Sequence, residues 1–337
     1  MSAPARAWVP AFLTTSLFWG SSFLFIHVAL ESFTPAEVAF GRVVVGTVVL
    51  AGMLLFMRHR PRFSWRELGS VALVALGLSV VPFILIPFAE LHITSILASL
   101  LNATTPLWTA LFVALLIPTE KATPLQIVGL VIGACGIAVL LGAWNVSDLP
   151  VLGAVLMLAA TACYGLGGTF SRILLRSIKE TPTSLSAAQM VLSSLMLAPI
   201  AAVSAPGVVG SGERGPITAS AVWSLVALGV LGTSFAYVLF YRVVRVVGAT
   251  TAASTTYVVP IIATILGILV LNEELHWYEP VGAVVVLLGV WLATRKPKVV
   301  AESAAVTGAP AVVEAVSDAQ AAGASELVTS APPEPTS

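Results

Sequence analysis

Arg42 is the side chain whose placement most invites a chemical reading. It stands seven residues past Pro35 inside an apolar run, roughly 10 Å along a helix at about 1.5 Å per residue. An arginine at the centre of a membrane helix costs about 2.5–3.5 kcal/mol on insertion scales, so it must meet a partner, a carbonyl or a wet cavity. One reading makes it a fixed positive charge for an anionic or zwitterionic solute. The other makes it structural, bonded to a neighbouring helix backbone or snorkelling outward with Glu37 as a local partner. Hydroxyl and amide side chains gather at two further points. Asn102, Thr104 and Thr105 precede Pro106, and Ser254, Thr255, Thr256 and Tyr257 precede Pro260. A proline inside a helix frees the carbonyl about one turn earlier. Such side chains can satisfy that carbonyl, hold helices together, or offer donors to a solute. Trp19, Tyr164, Tyr237 and Tyr257 lie well inside apolar runs, away from the interfacial belts where Trp and Tyr collect. They fit a cavity for an organic solute, and each is equally well explained by packing. With Gln189, these residues (Trp19, Arg42, Asn102, Tyr164, Gln189, Tyr237 and Tyr257) form the candidate substrate contacts.

The same survey argues against catalysis. The histidines His27, His59, His92 and His276 are scattered. No metal-binding helix motif, pair of membrane aspartates or serine elbow accompanies them. An enzyme, a metal site and a cofactor are therefore not expected. Cys135 and Cys163 both fall in apolar runs and read as small packing residues. No carboxylate lies centrally in a run. Glu31, His27 and His92 belong to outer edges, so no proton-coupling residue emerges, and a facilitator or an exchanger stays open.

The elements that must position these side chains follow from composition. Of 337 residues, 58% are hydrophobic and 9% charged, against about 25% charged in soluble domains. Runs of about 20 apolar residues, the length that spans a bilayer, recur ten times, near 8–30, 35–57, 67–89, 94–117, 124–143, 150–174, 183–204, 219–241, 249–271 and 278–295. They are too long and too uniformly apolar for barrel strands. The predicted fold class is an all-α polytopic membrane protein of ten transmembrane helices, built as two inverted five-helix repeats.

The repeat is legible in the spacing. Pro106, Glu120, Gly129 and Gly136 answer to Pro260, Glu273, Gly282 and Gly289. Thr34-Pro35 with Arg42 answers to Thr181-Pro182 with Gln189, Ala75-Leu76-Gly77 to Ala227-Leu228-Gly229, and Trp19-Gly20 to Tyr164-Gly165. Five spans per copy make the second enter the membrane from the opposite side, the pattern of alternating-access carriers. Three segments result: a first repeat over 1–144, a second over 145–298, and a disordered acidic cytoplasmic tail over 299–337, which lacks basic and aromatic residues. Sorting the 16 Lys and Arg by loop puts fourteen on one side, Arg214 alone on the other, and Arg42 within a span. By the positive-inside rule both termini are cytoplasmic. The basic residues are thus topology signals, and nucleic acid is not an expected partner. The first run is too long for a secretory signal and reads as an uncleaved span. Glu120 and Glu273 sit at opposite membrane edges, as carboxylates favoured by the dipoles of the fifth and tenth helices. The glycines after them permit close helix approach.

Trp19-Gly20-Ser21-Ser22-Phe23, Thr34-Pro35 with Arg42, and the Pro-to-Glu-to-Gly-to-Gly order in both halves resemble the EamA-type branch of the drug/metabolite transporter superfamily, over about residues 8–295. The chain departs from that pattern in one extra residue between Pro106 and Glu120, in Tyr164 where tryptophan is usual, and in Gln189 opposite Arg42. The resemblance implies a carrier of the bacterial inner membrane, exporting a small metabolite such as an amino acid or similar zwitterion. Efflux of toxic amphipathic compounds is the alternative, and an intramembrane enzyme the alternative of another class. The expected partners are a small-molecule substrate and the lipid bilayer, with a homodimer left open.

Overall fold

A computed structural model describes residues 8–117, 123–145, 150–204, 216–253 and 255–294, with backbone only at 248–253. Glu120, Ser254, Arg214 and the acidic tail lie outside the described residues. Among those described, all regular structure is helical: α1 Val9–Leu30, α2 Pro35–Phe56, α3 Trp65–Ala75, α4 Val81–Glu90, α5 Ser95–Asn102, α6 Thr105–Leu116, α7 Pro124–Leu140, α8 Val151–Leu174, α9 Pro182–Val203, α10 Ala219–Gly229, α11 Ala236–Ala253, α12 Thr255–Leu271 and α13 Tyr278–Thr294. Among the described residues seven segments are long and apolar enough to cross a membrane, four of them single helices (α1, α2, α8 and α9) and three composite. Helices α7, α12 and α13 are apolar but shorter. Val48, Leu55, Leu115, Leu195 and Leu269 are exposed, a surface suited to hydrocarbon rather than water.

The recurring Thr-Pro pair is a helix start. The Thr34 hydroxyl accepts the Glu37 amide while the Glu37 carboxylate accepts the Thr34 amide. Pro35 then takes the first helical position, where its missing N–H costs nothing. Thr123-Pro124 caps α7 with Gln126 in the same way, and Thr181 accepts the Ser184 amide at the start of α9.

The composite segments are interrupted where unbroken apolar runs predict whole helices. Between α3 and α4 the backbone widens to a π turn over Leu76–Val80, and between α10 and α11 over Val230–Phe235. Both lie at or just after the Ala-Leu-Gly motif. In the first, Pro82 has no N–H to return to the Leu78 carbonyl, and the Tyr237 hydroxyl donates to it at 2.6 Å instead. In the second, Thr233 and Ser234 donate to the Leu228 and Gly229 carbonyls five residues back. Pro106 ends α5 and starts α6, where Thr104 and Thr105 donate to the Leu101 and Asn102 carbonyls. Pro260, by contrast, lies inside continuous α12. The helix break before Pro106 is therefore not repeated at Pro260 among the described residues, and Thr104 and Thr105 satisfy backbone.

Helices α7 and α13 pack backbone to backbone. A Cβ on Gly136 would meet the Val286 amide at 2.6 Å, and one on Gly129 the Gly289 carbonyl at 2.6 Å. Elsewhere the loops clasp in two groups. Ser32, between α1 and α2, donates to the Pro216 carbonyl before α10; Trp144 after α7 stacks on Trp277 after α12. In the other group, Glu180 before α9 binds His59 and the Arg62 amide after α2, and the Arg245 guanidinium reaches the Glu180 carbonyl.

Candidate functional site

Capping by Thr34 sets the rotation of α2 and turns Arg42 inward, where it is 4% exposed. Its Nε donates to the Thr233 hydroxyl at 3.2 Å, and its guanidinium lies over the Phe83 ring, 3.6 Å from the centroid. That placement gives the cation a π face and one polar anchor in a low-dielectric interior. Among the described residues, its hydrogen bonding is through Nε. Glu37, the expected local partner, accepts the Thr34 amide in the cap.

Gln189 occupies the corresponding place on α9. Its Nε2 donates to the Ser79 hydroxyl at 2.6 Å, and its Oε1 accepts the Tyr241 hydroxyl at 2.9 Å. The relation is reciprocal. Arg42 from the first half reaches the π turn of the second half at Thr233, and Gln189 from the second reaches the π turn of the first at Ser79. Such widened turns recur at functional sites because they expose backbone groups.

Aromatic rings close the group. Trp19 on α1 meets Tyr237 edge-on at 6.0 Å and Phe240 at 5.1 Å, and Tyr237 meets Tyr241 at 6.3 Å. Tyr164 on α8 packs on the same cluster. Five candidates thus come together: Trp19, Arg42, Tyr164, Gln189 and Tyr237. Tyr257 does not, because α12 turns it onto Leu107, Val286 and Val290 beside the α7–α13 pair. Asn102 ends α5, and its Oδ1 is buried with no hydrogen-bond partner among the described residues. The arrangement suits a solute with a carboxylate for the guanidinium and an apolar body for the rings.

Several neighbours escape sequence reasoning. Ser79, Thr233 and Tyr241 look like ordinary small or aromatic residues in apolar runs, and only the π turns and the opposing half show their use. Glu90 had a usable signal: a carboxylate in the last turn of a helix opposes the macrodipole. It is 5% exposed, and among the described residues neither carboxylate oxygen has a hydrogen-bond partner. Glu273 does serve a helix dipole, but that of α5 rather than α13. It accepts the Ser95 amide, the Ser95 hydroxyl and the Ile96 amide at 2.8, 2.9 and 3.0 Å. The role at α13 falls to Glu279, which accepts the His276 amide. Cys135 and Cys163 are free thiols, and among the described residues no group of three His, Cys, Asp or Glu is placed to hold a metal.

Comparison with known proteins bears on what such a site serves. The EamA-like transporter family matches residues 6–142 and again 151–295. An uncharacterized transporter of Archaeoglobus fulgidus is 26% identical over 86% of this chain and 99% of its own length. The Escherichia coli uncharacterized inner membrane transporter YedA is 28% identical over 82% and 87%. A protein of Streptantibioticus cattleyicolor named a probable terminal-alkyne amino-acid exporter is 29% identical over 85% and 93%. A crystal structure of a further protein superposes with a TM-score of 0.61 at 19% identity, covering 86% of this chain and 98% of the other, a likeness of fold alone.

Proposed function

Because the chain belongs to the EamA-like transporter family, we propose that it carries a small zwitterion of the amino-acid class out across the bacterial inner membrane by alternating access. The observation that carries this reading is the buried Arg42 guanidinium, held over Phe83 of the cluster on which Trp19, Tyr164 and Tyr237 also pack. A carboxylate binds such a cation by charge-assisted hydrogen bonds, while the rings take the aliphatic or aromatic remainder. Two inverted halves of five spans, over 1–144 and 145–298 with both termini cytoplasmic, are part of the proposal. Support comes from the family's separate match to each half, from the reciprocal reach of Arg42 and Gln189, and from contacts among the described residues that join loops assigned to the same side. The name of the Streptantibioticus relative favours amino-acid export. The reading is of a carrier rather than a catalyst, with no cofactor.

The test is flux through purified protein in proteoliposomes, using a panel of L-amino acids with aliphatic, aromatic and terminal-alkyne side chains. Saturable transport of at least one, lost when its carboxylate is amidated, is the expected result. Transport indifferent to the carboxylate would overturn the reading. The contact of Trp19 with Tyr237 and Phe240 favours a second reading, efflux of amphipathic compounds. Flux of ethidium without flux of any amino acid would select it.

A further inference from the structure

Glu90 ends α4, about two helical turns beyond the Phe83 ring that Arg42 covers, and is buried with both carboxylate oxygens bare of hydrogen bonds among the described residues. An ionised carboxylate held this way loses its hydration and gains nothing in return, the least favourable state for a buried polar group. Two remedies exist: a bound proton, or a cation brought to it. Two charged side chains lie on neighbouring elements: Glu273, bonded to the start of α5, and Arg42, whose guanidinium covers Phe83 on α4. Glu273 is committed to the α5 start at Ser95 and Ile96 and gives Glu90 no hydrogen bond among the described residues. Arg42 is held toward Phe83 and Thr233 and makes no ion pair with Glu90. The helices packed against α4 are α8, α2, α1 and α5. Their other titratable residues are Cys163, Tyr164 and Arg172 on α8, Glu37 on α2 and His27 on α1, with Glu31 just beyond it. None of these hydrogen-bonds to Glu90 among the described residues.

A guanidinium over the Phe83 ring of α4 and an unpartnered carboxylate seven residues further along that helix, about 10 Å at about 1.5 Å per residue, offer counterparts to the two charges of an α-amino acid. We propose that Glu90 receives the ammonium group of the zwitterion whose carboxylate binds Arg42, and that it holds a proton whenever that ammonium is absent. The proton leaves the Glu90 carboxyl for solvent as the ammonium arrives, and one from solvent replaces it when the substrate departs. Substrate and proton then occupy Glu90 in turn, which couples export to proton entry. This rests on the zwitterion reading above and adds to it a coupling group.

The experiment has two arms. Infrared difference spectra of the purified, substrate-free protein should show the carbonyl stretch of a protonated buried acid at pH 7, absent from Glu90→Gln. This arm needs no substrate. In weakly buffered detergent solution, adding a transported amino acid from the panel should release about one proton per molecule bound, and none from Glu90→Gln, which should bind at least ten-fold more weakly. Gln matches the protonated acid in shape, so the fold should persist, and Glu90→Asp should retain proton release. Absence of the infrared band, its survival in Glu90→Gln, or amino-acid binding without proton release would overturn the proposal while leaving zwitterion transport standing. Failure of the wild type to bind any amino acid would instead overturn the zwitterion reading, and the ammonium role with it.

Discussion

Glu273 and Ser95, separated by 178 residues, are joined by two hydrogen bonds of 2.8 and 2.9 Å. The carboxylate also takes the Ile96 amide, so a residue of the second half satisfies the first two amides of a helix in the first, beside the Thr94 hydroxyl that accepts the Leu97 amide. An exposed helix start would find water, but one inside a membrane protein has no such recourse. Glu273→Ala should cost about 1–2 kcal/mol, the size of a lost cap, read as a fall in thermal midpoint of the detergent-solubilised protein. An unchanged midpoint would mean that the α5 start is satisfied otherwise.

Arg42 answers to two demands, so two substitutions are needed to separate them. Arg42→Gln should reduce zwitterion flux about ten-fold or more, as expected for a charged hydrogen bond worth about 1.5–3 kcal/mol. Arg42→Lys should restore flux only in part, lacking the planar fork and the ring-stacking face. Thr233→Val removes the Nε acceptor but keeps the charge, and should cost stability more than transport. Equal loss of flux in Thr233→Val and Arg42→Gln would make the arginine purely structural.

Glu180 makes the His59–Arg62 clasp sensitive to acid. Burial pushes its carboxyl upward, but hydrogen bonds from the Arg62 amide, His59 and Ser184 outweigh that and hold it below the ordinary value of 4.5. A depressed carboxyl contributes stability that is fully present above the unfolded value and lost as pH falls through the folded one. The clasp should therefore persist at neutral pH and weaken below about pH 4.5. Thermal midpoints across pH should show a steeper acid limb for wild type than for Glu180→Gln; parallel curves would refute it.

The α7–α13 seam has no room for a methyl. A Cβ on Gly289 would meet the Gly133 Cα at 2.6 Å and the Gly129 carbonyl at 2.7 Å. Backbone cannot yield as a side-chain tip does, so Gly289→Ala should destabilise by about 1–3 kcal/mol, the range for overpacking. Gly52→Ala, where a Cβ meets nothing within 4 Å, is the control and should be near neutral.

The sidedness proposed from basic residues can be tested with single cysteines. In intact cells, a thiol introduced at Arg60 or Lys179 should resist a membrane-impermeant reagent, and one at Trp277 should react. Labelling at Arg60 from outside would reverse the orientation.

What the sequence determined alone was the solvent of the fold and its segmentation. Long uncharged runs leave the helix as the way to satisfy backbone groups in hydrocarbon, and Thr-Pro pairs mark helix starts because the cap chemistry is local. The glycine spacing before Val286 and Ala293 likewise reported a close seam, since only a bare backbone allows it. Tertiary structure decided what each polar residue is for. Whether Arg42 meets Glu37 or Thr233 depends on a π turn 191 residues away. Glu273 could not be assigned to α5 rather than α13 by position, because loops place it nearer a helix distant in sequence. Tyr257 shares the intramembrane placement of Tyr237 in the sequence, yet helix rotation turns it toward a different cluster. Glu90 looked like the end of a run until packing buried it. Periodicity and caps are properties of neighbours along the chain, whereas partners, burial and charge pairing arise only when the two halves meet.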